Sequence, residues 1–276
     1  MKKTTKGSTI LAIMLSLAAF VQGQVKTTPD TLECHIIGFS GGLKIPSTGT
    51  ASEGAMGGNM KDLYEGPYLD FSIGCDYKYA SNWMVSLDGD FWFGLSSDNL
   101  ENRVDRMGNI FTPTGYAMGW GGSDGIINAY NRGLSLRLGL SRIFTFLPNN
   151  PNSGFMLKVS GGWMMQKTVF SQEYTSDPVP QLKGDYAKLY DHLRNGFIIS
   201  EGIGFIYMSN YYTYVNIRVL FEVSQCVSWS TRSYQIDNLM GLNGKDHNRY
   251  FDLLYNIKLS WMFPLTGKTT YDYYYY

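Results

Sequence analysis

The sequence predicts an all-β protein, an eight-stranded antiparallel up-and-down transmembrane β-barrel with four long extracellular loops. Three observations predict it. Apolar and polar residues alternate with period two over eight separate segments, which is the mark of strands with one apolar and one polar face. The strands they imply run about twelve to fourteen residues, longer than the usual 5–6 of globular strands and enough for the ~9–11 that a tilted membrane strand needs. The connections alternate long and short, so every long one falls at the same end.

Composition removes the competing classes. The chain has 276 residues, 17% of them charged and 15% aromatic, with 31 Gly. That charged fraction lies under the roughly 25% of soluble domains, and the aromatic content excludes a disordered chain. Mean hydropathy is -0.18, and beyond the N-terminus no apolar run approaches the ~18 residues of a membrane helix. Lys+Arg and Asp+Glu stand at 23 each, so no basic field exists to hold a nucleic-acid backbone.

Residues 1–23 have the layout of a secretory signal. Lys2, Lys3 and Lys6 precede the apolar stretch 10–21, which ends before Gln22, Gly23 and Gln24, matching a charged n-region, a short h-region and a small-residue cleavage point. Cleavage after Gly23 would leave 20 basic against 23 acidic residues. No Cys lies at the cut, which disfavours a lipoprotein. Cys34, Cys75 and Cys226 have no metal-ligand spacing, and free thiols with at most one disulfide are expected.

A periplasmic segment, 24–32, then leads into the barrel, 33–265, and a Tyr-rich periplasmic tail, 266–276, follows it. The best alternations are 69–79, 85–95, 134–141, 155–166, 213–224 and 251–263; segments 33–44 and 196–208 are weaker. In the last strand Phe251, Leu253, Tyr255, Ile257, Leu259, Trp261 and Phe263 oppose the largely polar set Asp252, Leu254, Asn256, Lys258, Ser260 and Met262. Long polar connections are expected over 45–66, 96–130, 168–195 and 226–249, and short ones at Ser81-Asn82, 147–153 and Ser209-Asn210. Aromatic residues gather at the short-turn end, with Tyr77, Tyr79 and Trp83 at the first turn, Phe144, Phe146 and Phe155 at the second, and Tyr207, Tyr211 and Tyr212 at the third. Such amphipathic rings favour the boundary between hydrocarbon and water.

On these features the chain resembles the small eight-stranded outer-membrane β-barrel proteins of Gram-negative bacteria. The polar Gln24 after cleavage, the Tyr-rich loops and the tail after the closing strand are most similar to barrels of Bacteroidota. The resemblance implies an outer-membrane location and a choice among stabilising, adhesive, lipid-modifying and secretion-accessory roles, because the fold alone does not select one.

The polar phase of the strands assigns twelve charged residues to the lumen, namely Asp70, Asp76, Asp88, Asp90, Glu222 and Asp252 with Lys44, Lys78, Arg137, Lys158, Arg218 and Lys258. An eight-stranded barrel has room inside for side chains only, and buried charges persist when paired. A structural ion-pair network filling the lumen is therefore expected, in preference to an open channel.

Candidate chemistry is sparse. His35, His192 and His247 lie far apart, and no metal or cofactor site is expected. Glu201 falls in phase with Phe197, Ile199, Ile203 and Phe205 on the face assigned to lipid. A bulge turning it inward is the expected explanation, with a lipid-facing catalytic acid served by His192 as the alternative. The loops carry Arg103, Asp105, Arg106 and Trp120, and Glu173, Tyr174, Asp177, Tyr186, Tyr190 and Arg194, a mixture suited to protein or glycan contact. The reading is a non-enzymatic outer-membrane barrel acting as a structural or interaction protein, embedded in outer-membrane lipids and meeting a protein or glycan partner through its loops or tail. A lipid-modifying enzyme and a periplasmic β-barrel carrier are the alternatives.

Overall fold

The computed structural model describes residues 31–51, 67–94, 117–119, 121–122, 124–147, 150–173, 179, 182–184, 188, 191, 193–208, 216–230 and 249–265. Nine strands are formed there: β1 (Cys34–Ala51), β2 (Tyr68–Lys78), β3 (Trp83–Gly94), β4 (Ala117–Met118), β5 (Asp124–Phe144), β6 (Gly154–Glu173), β7 (Arg194–Tyr207), β8 (Ile217–Ser230) and β9 (Arg249–Leu265). All pairings are antiparallel between sequence neighbours, and β1 closes against β9. The pairing of β3 with β5 completes a ring of eight, with the two-residue β4 as an arm on β5. A closed ring leaves no unpaired edge, the condition for crossing hydrocarbon with strands.

The register gives the geometry of the ring. One line of partners runs His35, Tyr77, Val85, Leu140, Val159, Glu201, Val223, Tyr255 and returns to β1 at Ile45. The return is displaced ten residues up β1, a shear of ten for eight strands, which sets a strand tilt of about 40°. At that size the bore is filled by side chains.

Burial alternates along the strands and fixes the two faces. β8 reads exposed at Ile217, Val219 and Phe221 and buried at Arg218, Leu220 and Glu222. Phe39, Phe71, Leu138, Phe197, Leu259 and Trp261 are likewise exposed, while every one of the twelve expected lumen charges is 5% exposed or less. Apolar outside and charged inside is the polarity of an outer-membrane-type transmembrane barrel. A soluble carrier would need the reverse, so that alternative is set aside. No helix among the described residues is long and apolar enough to cross a membrane.

Two expectations about extent are corrected. β1 continues to Ala51, β5 starts at Asp124, β6 reaches Glu173, β7 begins at Arg194 and β8 reaches Ser230, all inside segments assigned to loops. Above the apolar belt both faces of a strand meet polar surroundings, so the period-two signal fades although pairing continues. The strands are accordingly longer than twelve to fourteen residues in places, with 21 in β5 and 20 in β6.

The first short turn shows why its sequence forms it. Asn82 N donates to Tyr79 O at 3.0 Å, Tyr79 N donates to Trp83 O at 2.9 Å, and Asn82 adopts φ 61°. Asn is among the few non-Gly residues that accept this left-handed conformation readily. Its echo, Ser209-Asn210, lies outside the described residues, as do Tyr211 and Tyr212. Tyr79, Phe146, Phe155 and Tyr207 are exposed at this end, forming the expected aromatic band. Tyr77 and Tyr79 also pack edge to face at 4.8 Å, so cross-strand packing and interfacial placement coexist there.

Candidate functional site: the layered lumen

The interior is stacked in layers, because each strand contributes one inward residue per two positions and the register aligns them. At the short-turn end Cys34, Ile36, Met84, Ile143, Met156, Ile206, Met208, Leu220 and Met262 form an apolar floor. Below it the base is tied by hydrogen bonds. Leu32 N donates to Asn152 Oδ1 at 2.8 Å, and Lys78 Nζ donates to the same oxygen at 3.1 Å and to Leu32 O at 2.9 Å. Met208 N donates to Ser153 Oγ at 2.8 Å, and Asn150 Nδ2 donates to Met208 O at 2.8 Å.

The charges stand above the floor. Lys158 Nζ lies 2.6 Å from Asp88, and Arg218 Nη1 lies 2.8 Å from Asp76. Higher, Arg137 Nη2 lies 2.7 Å from Asp90 and 3.4 Å from Glu222. Lys258 is the hub of this group, 3.1 Å from Asp70, 3.6 Å from Glu222 and ion-paired with Asp90. Lys44 adds a contact to Asp70 at 3.3 Å. Neutral groups take up remaining capacity, with Ser135 Oγ donating to Asp90 at 2.8 Å and Asn256 Nδ2 to Asp70 at 2.9 Å. At least ten of the twelve lumen charges thus join in ion pairs with one another. Lys78 bonds instead to neutral oxygens at the base, and Asp252 stands toward the opposite end, where its register partner is Cys226.

A second apolar layer of Tyr68, Trp92, Met164, Ile198, Cys226 and Leu254 covers the charges. Lys44 Nζ sits 3.8 Å from the centre of the Trp92 ring, joining the ionic layer to this lid through a cation–π contact. The indole lies across Gly133 on the adjacent strand. A Cβ on Gly133 would meet Trp92 carbons at 2.1 Å, so the absence of a side chain there is what seats the ring.

Arg194 is a correction. Expected in a surface loop, it starts β7, is buried, and stacks over the Tyr250 ring at 3.6 Å. The polar run preceding the strand hid its inward phase. Arg142, which the sequence reading passed over, lies against the Trp83 and Phe144 rings at 5.1 and 5.5 Å. Trp92, Leu220, Leu254 and Met262 all occupy the polar phase yet build the apolar layers, so the lumen is less uniformly polar than its charges imply.

Glu201 is a second correction. The pairing of β7 with β6 and β8 is unbroken through Val159↔Glu201↔Val223. No bulge turns the carboxyl inward, and it faces the lipid side. His35 is exposed at the short-turn end. His192 and His247 lie outside the described residues, as do Arg103, Asp105, Arg106, Trp120, Tyr174, Asp177, Tyr186 and Tyr190; nothing is described of the Glu173 side chain. Cys34, Cys75 and Cys226 are free thiols, with Cys75 exposed. Among the described residues no group of three or more His, Cys, Asp or Glu could hold a metal ion.

No protein-family model matches the chain. No curated protein sequence matches it either. Among solved structures it is similar to Ail, the attachment invasion locus protein of Yersinia pestis, solved in complex with the heparin analogue sucrose octasulfate. That likeness has 10% identity and a TM-score of 0.36 over 83% of this chain and 99% of that one. It is similar to OprG of Pseudomonas aeruginosa, with 11% identity, TM-score 0.34, and 85% and 98% covered. Neisserial surface protein A gives 8% identity and TM-score 0.29, with 81% and 94% covered.

Proposed function

We propose that this outer-membrane barrel is a non-enzymatic, non-conducting scaffold that acts through its extracellular loops or its periplasmic tail. One observation carries the reading: charges paired across the bore are closed in by an apolar layer on either side. In this reading the twelve lumen residues are structural and hold the barrel shut. Recognition then falls to the long connections, whose Arg, Tyr and Trp suit a protein or glycan surface. The finer likeness to barrels of Bacteroidota belongs to the same proposal and rests on Gln24, the Tyr-rich loops and the tail.

The test uses the full mature chain in nanodiscs on protein and glycan arrays. Shortening 95–116 or 174–192 removes the binding seen with the intact protein, with the barrel still folded. Glu201→Gln leaves lipid A and phospholipid composition unchanged. Loss of a lipid modification in that variant would transfer the assignment to a lipid-modifying enzyme.

A further inference from the structure

Glu201 lies at the midplane of the apolar belt. On its own strand it stands four residues from Phe197 and four from Phe205, which at the strand rise and tilt is about 10 Å of height in each direction. Phe197 packs on Trp229 at 5.7 Å above, and Phe205 on Phe146 at 6.1 Å below, so aromatic pairs bracket it. A Glu side chain is too short to snorkel from there to water. Among the described residues, no hydrogen bond or ion pair reaches the carboxyl.

The surroundings sharpen the anomaly. Outward neighbours on either side are Val159 and Gly161 of β6 and Phe221 and Val223 of β8. A Cβ built on Gly161 would approach only Ile198 O, at 3.9 Å, so the wall is shallow beside Glu201 and admits close approach. Gln225, a second polar side chain of the outer face, is on β8 within the same wall, opposite Ile199. The opposite wall, β2 and β3, presents Phe71, Ile73, Cys75, Leu87 and Phe91 outward.

We infer that the β6–β7–β8 wall, centred on Glu201, is a membrane-embedded interface for a second copy of this chain, with the two Glu201 carboxyls paired across a two-fold axis. In hydrocarbon a carboxyl is carried as the neutral acid, which has one O–H donor and a carbonyl acceptor. Two such groups satisfy each other completely. A two-fold axis along the membrane normal preserves height, so a residue beside the axis meets its own copy, and β8 of one copy faces β6 of the other. Val223 then lies opposite the recess at Gly161. Self-complementarity is what selects a second copy as the occupant, since lipid tails offer the carboxyl nothing to pair with.

The mass of the full mature protein, measured in lipid nanodiscs and by single-molecule photobleaching in vesicles, tests this. Wild type is expected to dimerise. Glu201→Leu lowers the dimer fraction at least tenfold while retaining the heat-shifted mobility of a folded barrel, and Glu201→Gln, whose amide is also self-complementary, keeps the dimer. With Cys75→Ser in the background, Ile199→Cys is linked into a dimer by a short bifunctional thiol reagent in native membranes, whereas wild-type Cys75 on the opposite wall is not. Wild type that stays monomeric would overturn the inference. So would a Glu201→Leu protein as dimeric as wild type, a Gln variant as monomeric as the Leu one, or linkage through Cys75.

Discussion

Glu222 and Glu201 stand one register position apart on neighbouring strands, since Glu222 pairs with Gly202 and Glu201 with Val223, yet they live in opposite environments. Glu222 points inward and meets Arg137 and Lys258. Glu201 points into the lipid belt with no partner among the described residues. Both carboxyls sit at a similar depth, one register position apart. What separates them is the phase of a two-residue repeat: one face of the sheet gathers its charges within reach of each other, and the other disperses its side chains around a perimeter. A barrel satisfies inner polar groups from across the bore, whereas an outer one depends on a neighbour on the same surface, as Tyr77 has in Glu33, or on something outside the barrel.

The sharpest way to break this contrast is to remove an inner partner. Arg137→Leu leaves Asp90 and Glu222 with a buried cation missing, and stability in denaturant titrations should fall by about 3–5 kcal/mol. Replacing Glu222 by Gln in the same protein should recover part of that loss, because Lys258 then faces one carboxylate fewer. A stability equal to wild type for Arg137→Leu would show that the lumen does not depend on its pairs.

A smaller effect is expected at the upper apolar layer. Gly133→Ala places a methyl where the Trp92 ring lies, and overpacking there should cost about 1–3 kcal/mol. Tryptophan fluorescence in that variant should report a displaced indole, and an unchanged spectrum with unchanged stability would contradict the seating of the ring. On the outer face the sign reverses. In dilute detergent, where the chain is monomeric, Glu201→Leu should stabilise by about 1–2 kcal/mol, since a polar group leaves the apolar belt. Destabilisation there would mean that the carboxyl has a partner within its own chain.

Much of this contrast was legible in the residues. Period two separated the faces over 69–79, 85–95 and 251–263, and the twelve charges followed from phase alone. Pairing partners did not follow. That Lys258 would reach Asp90, 168 positions away, depends on the shear of the closed ring, which no local pattern encodes. The strand ends were also hidden: Asn128, Asn131 and Arg132 belong to β5, but above the belt nothing forces apolar residues onto either face. The bulge expected at Glu201 came from treating an acid facing lipid as a phasing error, when the register shows the phase to be intact.

Ion conductance tests the central claim most directly. Purified full-length protein reconstituted into planar bilayers should give no steady current at any salt concentration, because the paired charges and the apolar layers on either side fill the bore. A uniform, stable conductance that scales with salt would contradict the account and make the same twelve residues the lining of a channel.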